Sequence, residues 1–419
     1  LSRLIGDVEG GMLNLTDFIA LGPYAILILL SILVILSYIF DLVSRWSHVP
    51  SVLMLLAVGM GLRYLVTSLG LYIPNLRIYL EILGTIGLIL IVLEATLELK
   101  LDRKRLPTIR KSLSSALLVL LASSLLIARL IQIWSGAPFQ TALVNAIPLA
   151  VISSATAIPS VWHLGSDKKE FCVYEATFSD ILGIMLFNFS LQSDIFSADS
   201  MVKFVTGLAA VLFISGLCSL LLLFFMDRLK THIKFFLILS LLVLVYSGGK
   251  LFHLSSLLLI LVFGLTITNM ELFIRGRLQT LLNAENLSDE ILNFKTFTAE
   301  SAFLIRTFFF ILFGFSINLE SLASREILIL SSLIVSLVFA VRFFYLKFLA
   351  RISLLPELFV APRGLITLLL YYSIPPAFII STFSEGILFY VIIITSIIMM
   401  LGLLITRSSS RGQDEPCIY

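Results

Sequence analysis

Charge is what this chain has least of. Asp, Glu, Lys and Arg make up only 13% of its 419 residues, while 59% are hydrophobic and the mean hydropathy is +1.07. Soluble domains carry about 25% charged residues, so a water-soluble globular protein is excluded and a polytopic membrane protein is expected. The net charge of +3 is too small to imply a nucleic-acid surface. Cysteine is scarce as well. Cys172, Cys218 and Cys417 are far apart and two of them lie inside apolar runs, which excludes a disulfide framework and a thiolate metal site. The four histidines, His48, His163, His232 and His253, fall near the ends of apolar runs, and none is paired at metal-ligand spacing. No glycine-rich phosphate loop follows a strand, so ATP-driven pumping has no support. No nucleophile and base pair stands out either, and neither an enzyme nor a cofactor is expected.

What the chain has in abundance is apolar runs of spanning length. At about twenty residues per crossing there are about 13 transmembrane helices, in an all-α polytopic membrane protein. They fall near 21–41, 49–69, 77–99, 110–133, 139–164, 170–192, 202–226, 235–252, 255–270, 296–317, 326–347, 357–375 and 386–406. Lys and Arg gather in alternate connections, which places those connections in the cytoplasm, the amino terminus outside and the carboxy terminus inside.

One segment shape occurs twice. GLILIVLEATLELKLDRKRL, from Gly87 in the third span, resembles FFFILFGFSINLESLASREI, from Phe308 in the tenth. Six spans, a lone seventh and six more give two inverted six-helix repeats, an arrangement common in secondary transporters. The fifth and twelfth spans are then equivalent, and both are expected to be broken crossing helices. Ser153-Ser-Ala-Thr156-Ala-Ile-Pro159 supplies hydroxyls and a proline that removes a backbone donor, and Pro362-Arg363-Gly364 interrupts the twelfth.

Two carboxylates lie inside the sixth span, FCVYEATFSDILGIMLFN. An ionised carboxylate at bilayer depth is costly, and such residues mark ion or proton paths. Glu175 and Asp180 are separated by about 140° around the helix, so they meet different surroundings. One is free to be buried against a partner and the other to titrate. Protonation and cation binding compete at a carboxylate, which makes Asp180 the expected exchange group. Thr156, Ser154 and Ser179 are its candidate co-ligands, hard oxygens suited to Na⁺, Li⁺ or K⁺. Arg129 reads as an interfacial anchor, and Glu81, Glu300 and Arg306 stay unassigned.

Glu175-Ala-Thr-Phe-Ser179-Asp180 resembles the Glu-x-x-x-Asn-Asp signature of the sodium/proton exchanger family (NhaP-like) among monovalent cation:proton antiporters, with Ser179 in place of the usual Asn. Arg363-Gly364-Leu365 is similar to that family's Leu-Arg-Gly motif, and Leu93-Glu94-Ala-Thr-Leu97 to its Phe-Glu-Gly-Gly-Leu. Ser153-Ser-Ala-Thr-Ala-Ile looks more like the Ser-Ser-Thr-Ala-Ile of Kef-type potassium/proton antiporters. The resemblance implies an NhaA-like antiporter fold in a homodimer within the bilayer, in a bacterial inner membrane. It implies electroneutral exchange of Na⁺ or Li⁺ for H⁺ at Asp180. It also implies a structural Glu175–Arg342 ion pair, with Arg363 as second basic candidate. Residues 1–105 and 235–324 are then dimerisation and scaffold helices, 106–194 and 325–407 the two halves of a transporting core, 195–234 a linker and 408–419 a cytoplasmic tail. Kef-type K⁺/H⁺ exchange is the alternative, followed by a cation channel.

Overall fold

A computed structural model of the chain describes residues 23–47, 49–68, 76–99, 105–161, 164–192, 202, 206, 209, 213–221, 234–251, 256–269, 284–317, 324–380 and 383–411. Every regular element among them is helical. In hydrocarbon no water is available to satisfy N–H and C=O groups, and an apolar run of this length satisfies them only by coiling on itself.

The helices are α1 (Pro23–Ser47), α2 (Ser51–Ser68), α3 (Arg77–Glu98), α4 (Leu106–Ser135), α5 (Phe139–Ala150), α6 (Ser154–Ser160) and α7 (Ser166–Ser190), followed by α8 (Lys234–Leu251), α9 (Ser256–Thr268), α10 (Ala284–Ser316), α11 (Arg325–Phe344), α12 (Leu365–Tyr372) and α13 (Glu385–Arg411). A π-helical turn, Tyr345–Ala350, extends α11. Among the described residues seven helices are long and apolar enough to cross a membrane, counting the fifth crossing as one run over Phe139–Ser160. Most of the lone seventh span, expected within 195–234, lies outside the described residues, although 213–221 is helical. The amino-terminal stretch to 22, the tail beyond 411, His163 and Cys417 also lie outside them.

Packing sorts the helices into two groups. In the first, α10 lies against α1, α2 and α3, and α9 joins α3 to α8. In the second, α4 packs on α5, α7 and α11, α6 packs on α7, α11 on α13, and α12 on α5. The groups meet where α3 touches α6, α7 and α12 and where α9 touches α7. Small residues allow the closest approach in the first group. A Cβ at Gly59 would collide with the Ile311 carbonyl of α10, and one at Gly314 would lie 2.5 Å from the Leu56 carbonyl of α2. Such pairs let helix backbones touch where apolar burial alone gives no driving force. The interior holds Phe263, Phe294, Phe309, Phe310 and Phe313, all fully buried. The outer faces are also apolar: Leu27, Ile35 and Leu42 on α1 and Leu117, Leu125 and Leu126 on α4 are exposed. That surface fits lipid rather than water.

Candidate functional site

The site is built where two chains of backbone leave helical geometry and cross. α5 ends at Ala150, Val151 and Ser153 are extended (φ −68°, ψ 132° and φ −81°, ψ 117°), and α6 begins at Ser154. Opposite it, residues 360–364 run outside any helix before α12 starts at Leu365. A break inside a membrane protein frees backbone donors and acceptors that must find partners, and each partner here is a specific residue.

The donors are taken first. Ser179 Oγ accepts the Ile152 N–H at 2.9 Å, the Pro362 carbonyl accepts the Ser153 N–H at 2.9 Å, and Asp180 Oδ2 accepts the Ser154 N–H at 3.1 Å. The acceptors are taken by Arg363. Its Nε donates to Leu149 O at 2.9 Å, Nη2 to Ala150 O at 2.9 Å and Nη1 to Ala361 O at 2.6 Å, while its own N–H donates to Thr395 Oγ1 at 3.0 Å. A guanidinium at the carboxyl end of α5 both fills orphan carbonyls and meets the negative end of the helix dipole. Arg363, the second basic candidate for Glu175, therefore spends its donors on backbone carbonyls. Its charge is needed at the break.

Two glycines make the crossing tight. A Cβ on Gly364 would lie 2.6 Å from Thr156 Oγ1 and 2.8 Å from Ser153 Oγ, and one on Gly183 of α7 would strike Val151 Cγ2. Ser153 and Thr156 therefore present their hydroxyls to one point on the other crossing strand.

Not every oxygen gathered here has a partner. Asp180 is buried, 3% exposed, and while Oδ2 is held by Ser154, Oδ1 has no hydrogen-bond partner. Ser153 Oγ and Thr156 Oγ1 are likewise buried and unpartnered, as is Thr367 Oγ1 one turn into α12. Among the described residues no Lys or Arg reaches Asp180 at salt-bridge distance. Buried polar atoms without partners are rare, and these collect where the two strands cross, next to the residue whose N–H holds Asp180; oxygens of this kind can take a proton or a small hard cation. Of the other two expected ligands, Ser179 Oγ accepts the Ile152 N–H, and Ser154 meets Asp180 through both its backbone N–H and its hydroxyl.

Glu175 faces away from Asp180, as their spacing on α7 requires. Arg342 Nη1 donates to its Oε1 at 2.8 Å and Nη2 to its Oε2 at 2.7 Å, and Ser115 Oγ donates to Oε1 at 2.5 Å. Arg342 also donates through Nε and Nη2 to the Glu357 carbonyl, at 3.0 and 2.7 Å. Both side chains are buried, at 0% and 1% exposure. The pair joins α7, α11 and α4, and it closes a planar two-bond fork of the kind arginine forms with carboxylate. Composition and spacing gave no sign of the Ser115 hydroxyl or of Thr395, and they left Arg306 without a role; its Nη1 donates to Ala155 O from α10. The one available signal for Arg306 was Pro159, four residues beyond Ala155.

The comparisons with known proteins bear on the fold and the family. The chain is similar to the sodium proton antiporter MjNhaP1 from Methanocaldococcus jannaschii in its structure at pH 8, with a TM-score of 0.66 at 19% identity over 92% of this chain and 96% of that one. The electron-microscopy map of the same antiporter gives a TM-score of 0.64 at 17% identity over 93% and 96%. At such identities the likeness establishes a shared fold. No curated protein matches the chain. The family model described as "Sodium/hydrogen exchanger, transmembrane" matches residues 29–407, and by that match the chain belongs to the sodium/hydrogen exchanger family.

Proposed function

We propose that this protein exchanges a monovalent cation, Na⁺ or Li⁺ in preference to K⁺, for H⁺, and that cation and proton compete for the Asp180 carboxylate. The observation that carries the proposal is the group of buried oxygens left unpartnered beside the break: Asp180 Oδ1, Ser153 Oγ and Thr156 Oγ1. An unfilled buried acceptor costs about 1 to 3 kcal/mol, and either a bound proton or a bound cation relieves that cost. Both cannot sit on one oxygen, so loading one expels the other.

Glu175 and Arg342 cancel each other and serve structure. The second helix group, α4–α7 with α11–α13, is the moving core, and the first group is the scaffold through which two copies pair. The two breaks are related by an inverted repeat, and exposing Asp180 to one side at a time gives alternating access. With one titrating carboxylate, one cation leaves for each proton that enters, and the cycle is electroneutral. The chain sits in a bacterial inner membrane with its carboxy terminus in the cytoplasm. The Kef-like residues at 153–158 favour K⁺ as the second reading.

The test is ion-driven proton flux in proteoliposomes with Na⁺, Li⁺ and K⁺ in separate arms. Asp180→Asn is expected to abolish flux with all three. Flux that survives the substitution overturns the mechanism, and a rate that depends on imposed voltage overturns electroneutrality.

A further inference from the structure

α6 contains Pro159, which has no N–H to give the carbonyl four residues earlier. That carbonyl belongs to Ala155, beside Ser154, whose N–H holds Asp180. The donor it receives instead comes from the other helix group: Arg306 Nη1 on α10, at 3.4 Å. The guanidinium lies 6.0 Å from the Phe303 ring, one turn earlier on α10, and Phe303 packs on Tyr38 of α1 at 4.8 Å. Glu94 of α3 is close enough for its charge to act on Arg306. A charged group inside a membrane bundle is costly and is seldom without a role.

We propose that Arg306 is a positioning residue that clasps the proline-freed carbonyl of Ala155 and so holds the α6 break against the α10 group in the conformation seen here. The inference rests on the reading above that the two groups move past one another. When they do, the long bond to Ala155 is given up, and Glu94, which travels with α10, remains to balance the guanidinium. The clasp therefore sets the ratio between the two conformations without touching the transported ion. Proline at 159 has a matching purpose, because a residue with an N–H there would satisfy Ala155 from within α6 and leave Arg306 nothing to hold.

The experiment measures a distance and needs no ion flux. Cys172, Cys218 and Cys417 are replaced by Ala, and spin labels are placed at the exposed positions Tyr64 on α2 and Ile133 on α4. Distances are then read by double electron–electron resonance in lipid, at several pH values with and without Na⁺. Arg306→Met is expected to shift the odds between the two distance populations about fivefold, the loss of one net hydrogen bond. Pro159→Ala should shift them in the same direction with Arg306 intact, the double variant should shift them no further than either single, and Arg306→Lys should recover part of the effect. Unchanged odds in Arg306→Met, or single-variant effects that multiply in the double, overturn the clasp. A single population in every condition, in the wild type too, overturns the movement itself and the clasp with it. Should Arg306→Met fail to fold, Pro159→Ala alone decides, because it competes for the same carbonyl and unchanged odds there refute the proposal.

Discussion

Arg342→Met is the substitution from which most follows. It removes the two donors that reach Glu175 at 2.8 and 2.7 Å and the two that reach the Glu357 carbonyl. Glu175 then stays buried with Ser115 as its one remaining partner. Removing one member of a buried pair costs about 3 to 5 kcal/mol, most of it the penalty on the charge left behind. At about 1.4 kcal/mol per factor of ten that is a 10²- to 10⁴-fold loss in the folded ratio, and it should appear as a marked fall in thermal midpoint in detergent. If the penalty is the stranded charge, neutralising it must restore stability. Glu175→Gln added to Arg342→Met is therefore expected to recover about 2 kcal/mol or more, a coupling that a thermodynamic cycle isolates. The refuting result is a double variant no more stable than Arg342→Met alone. Glu175→Gln that melts normally yet transports nothing would also refute the reasoning, since it would put Glu175 in the transport path.

Competition at Asp180 requires the apparent KM for the cation to rise as pH falls, by up to about tenfold per unit once the carboxyl is mostly protonated; flux titrations at several pH values read this directly, and a KM independent of pH contradicts it. Gly364→Ala puts a methyl 2.6 Å from Thr156 Oγ1 and 2.8 Å from Ser153 Oγ; cation affinity should fall while Gly61→Ala, with open space around it, binds normally. Ser179→Ala leaves the Ile152 N–H unpaired and should cost about 1 to 3 kcal/mol of stability, whereas Asn at that position restores an acceptor and recovers it. Arg363→Lys replaces a fork serving three carbonyls with a single ammonium and should destabilise by more than Ser179→Ala does in the same melting assay.

Much of this site could be read from the chain because its chemistry is local in sequence. Glu175 and Asp180 sit five apart on one helix, so their divergence follows from helix geometry alone. The breaks at 151–153 and 360–364 were signalled by hydroxyls, Pro159 and Pro362-Arg363-Gly364. What the chain withheld are pairings across long sequence separations. Nothing local says that Arg363 faces Leu149 and Ala150, residues more than two hundred positions away. The same holds for Ser115, whose hydroxyl looks like any other small polar group on an apolar helix until α4 meets α7. Serines in such helices ordinarily bond the carbonyl one turn back, as Ser331 does with Ile327, and composition does not separate the two cases.

On the proposed mechanism, the distribution of charge explains why a single carboxylate is left to exchange. Inside the second helix group lie two buried arginines, Arg342 and Arg363, and three buried acids, Glu175, Asp180 and Glu357, whose surroundings differ in kind. Arg342 is matched by an acid, one charge against one. Arg363 is matched by carbonyl dipoles at the end of α5, which supply roughly half a negative charge. Asp180 has backbone and hydroxyl groups of Ser154 on one oxygen and nothing on the other. Glu357 also keeps one unpartnered oxygen, with Ser353 on the other, but it precedes the crossing strand; at the crossing itself, Asp180 is the acid that can gain a positive charge without breaking an existing bond. A proton or a cation placed on Glu175 must first displace Arg342, at a cost of several kcal/mol, so the acid left with an open oxygen at the crossing is Asp180.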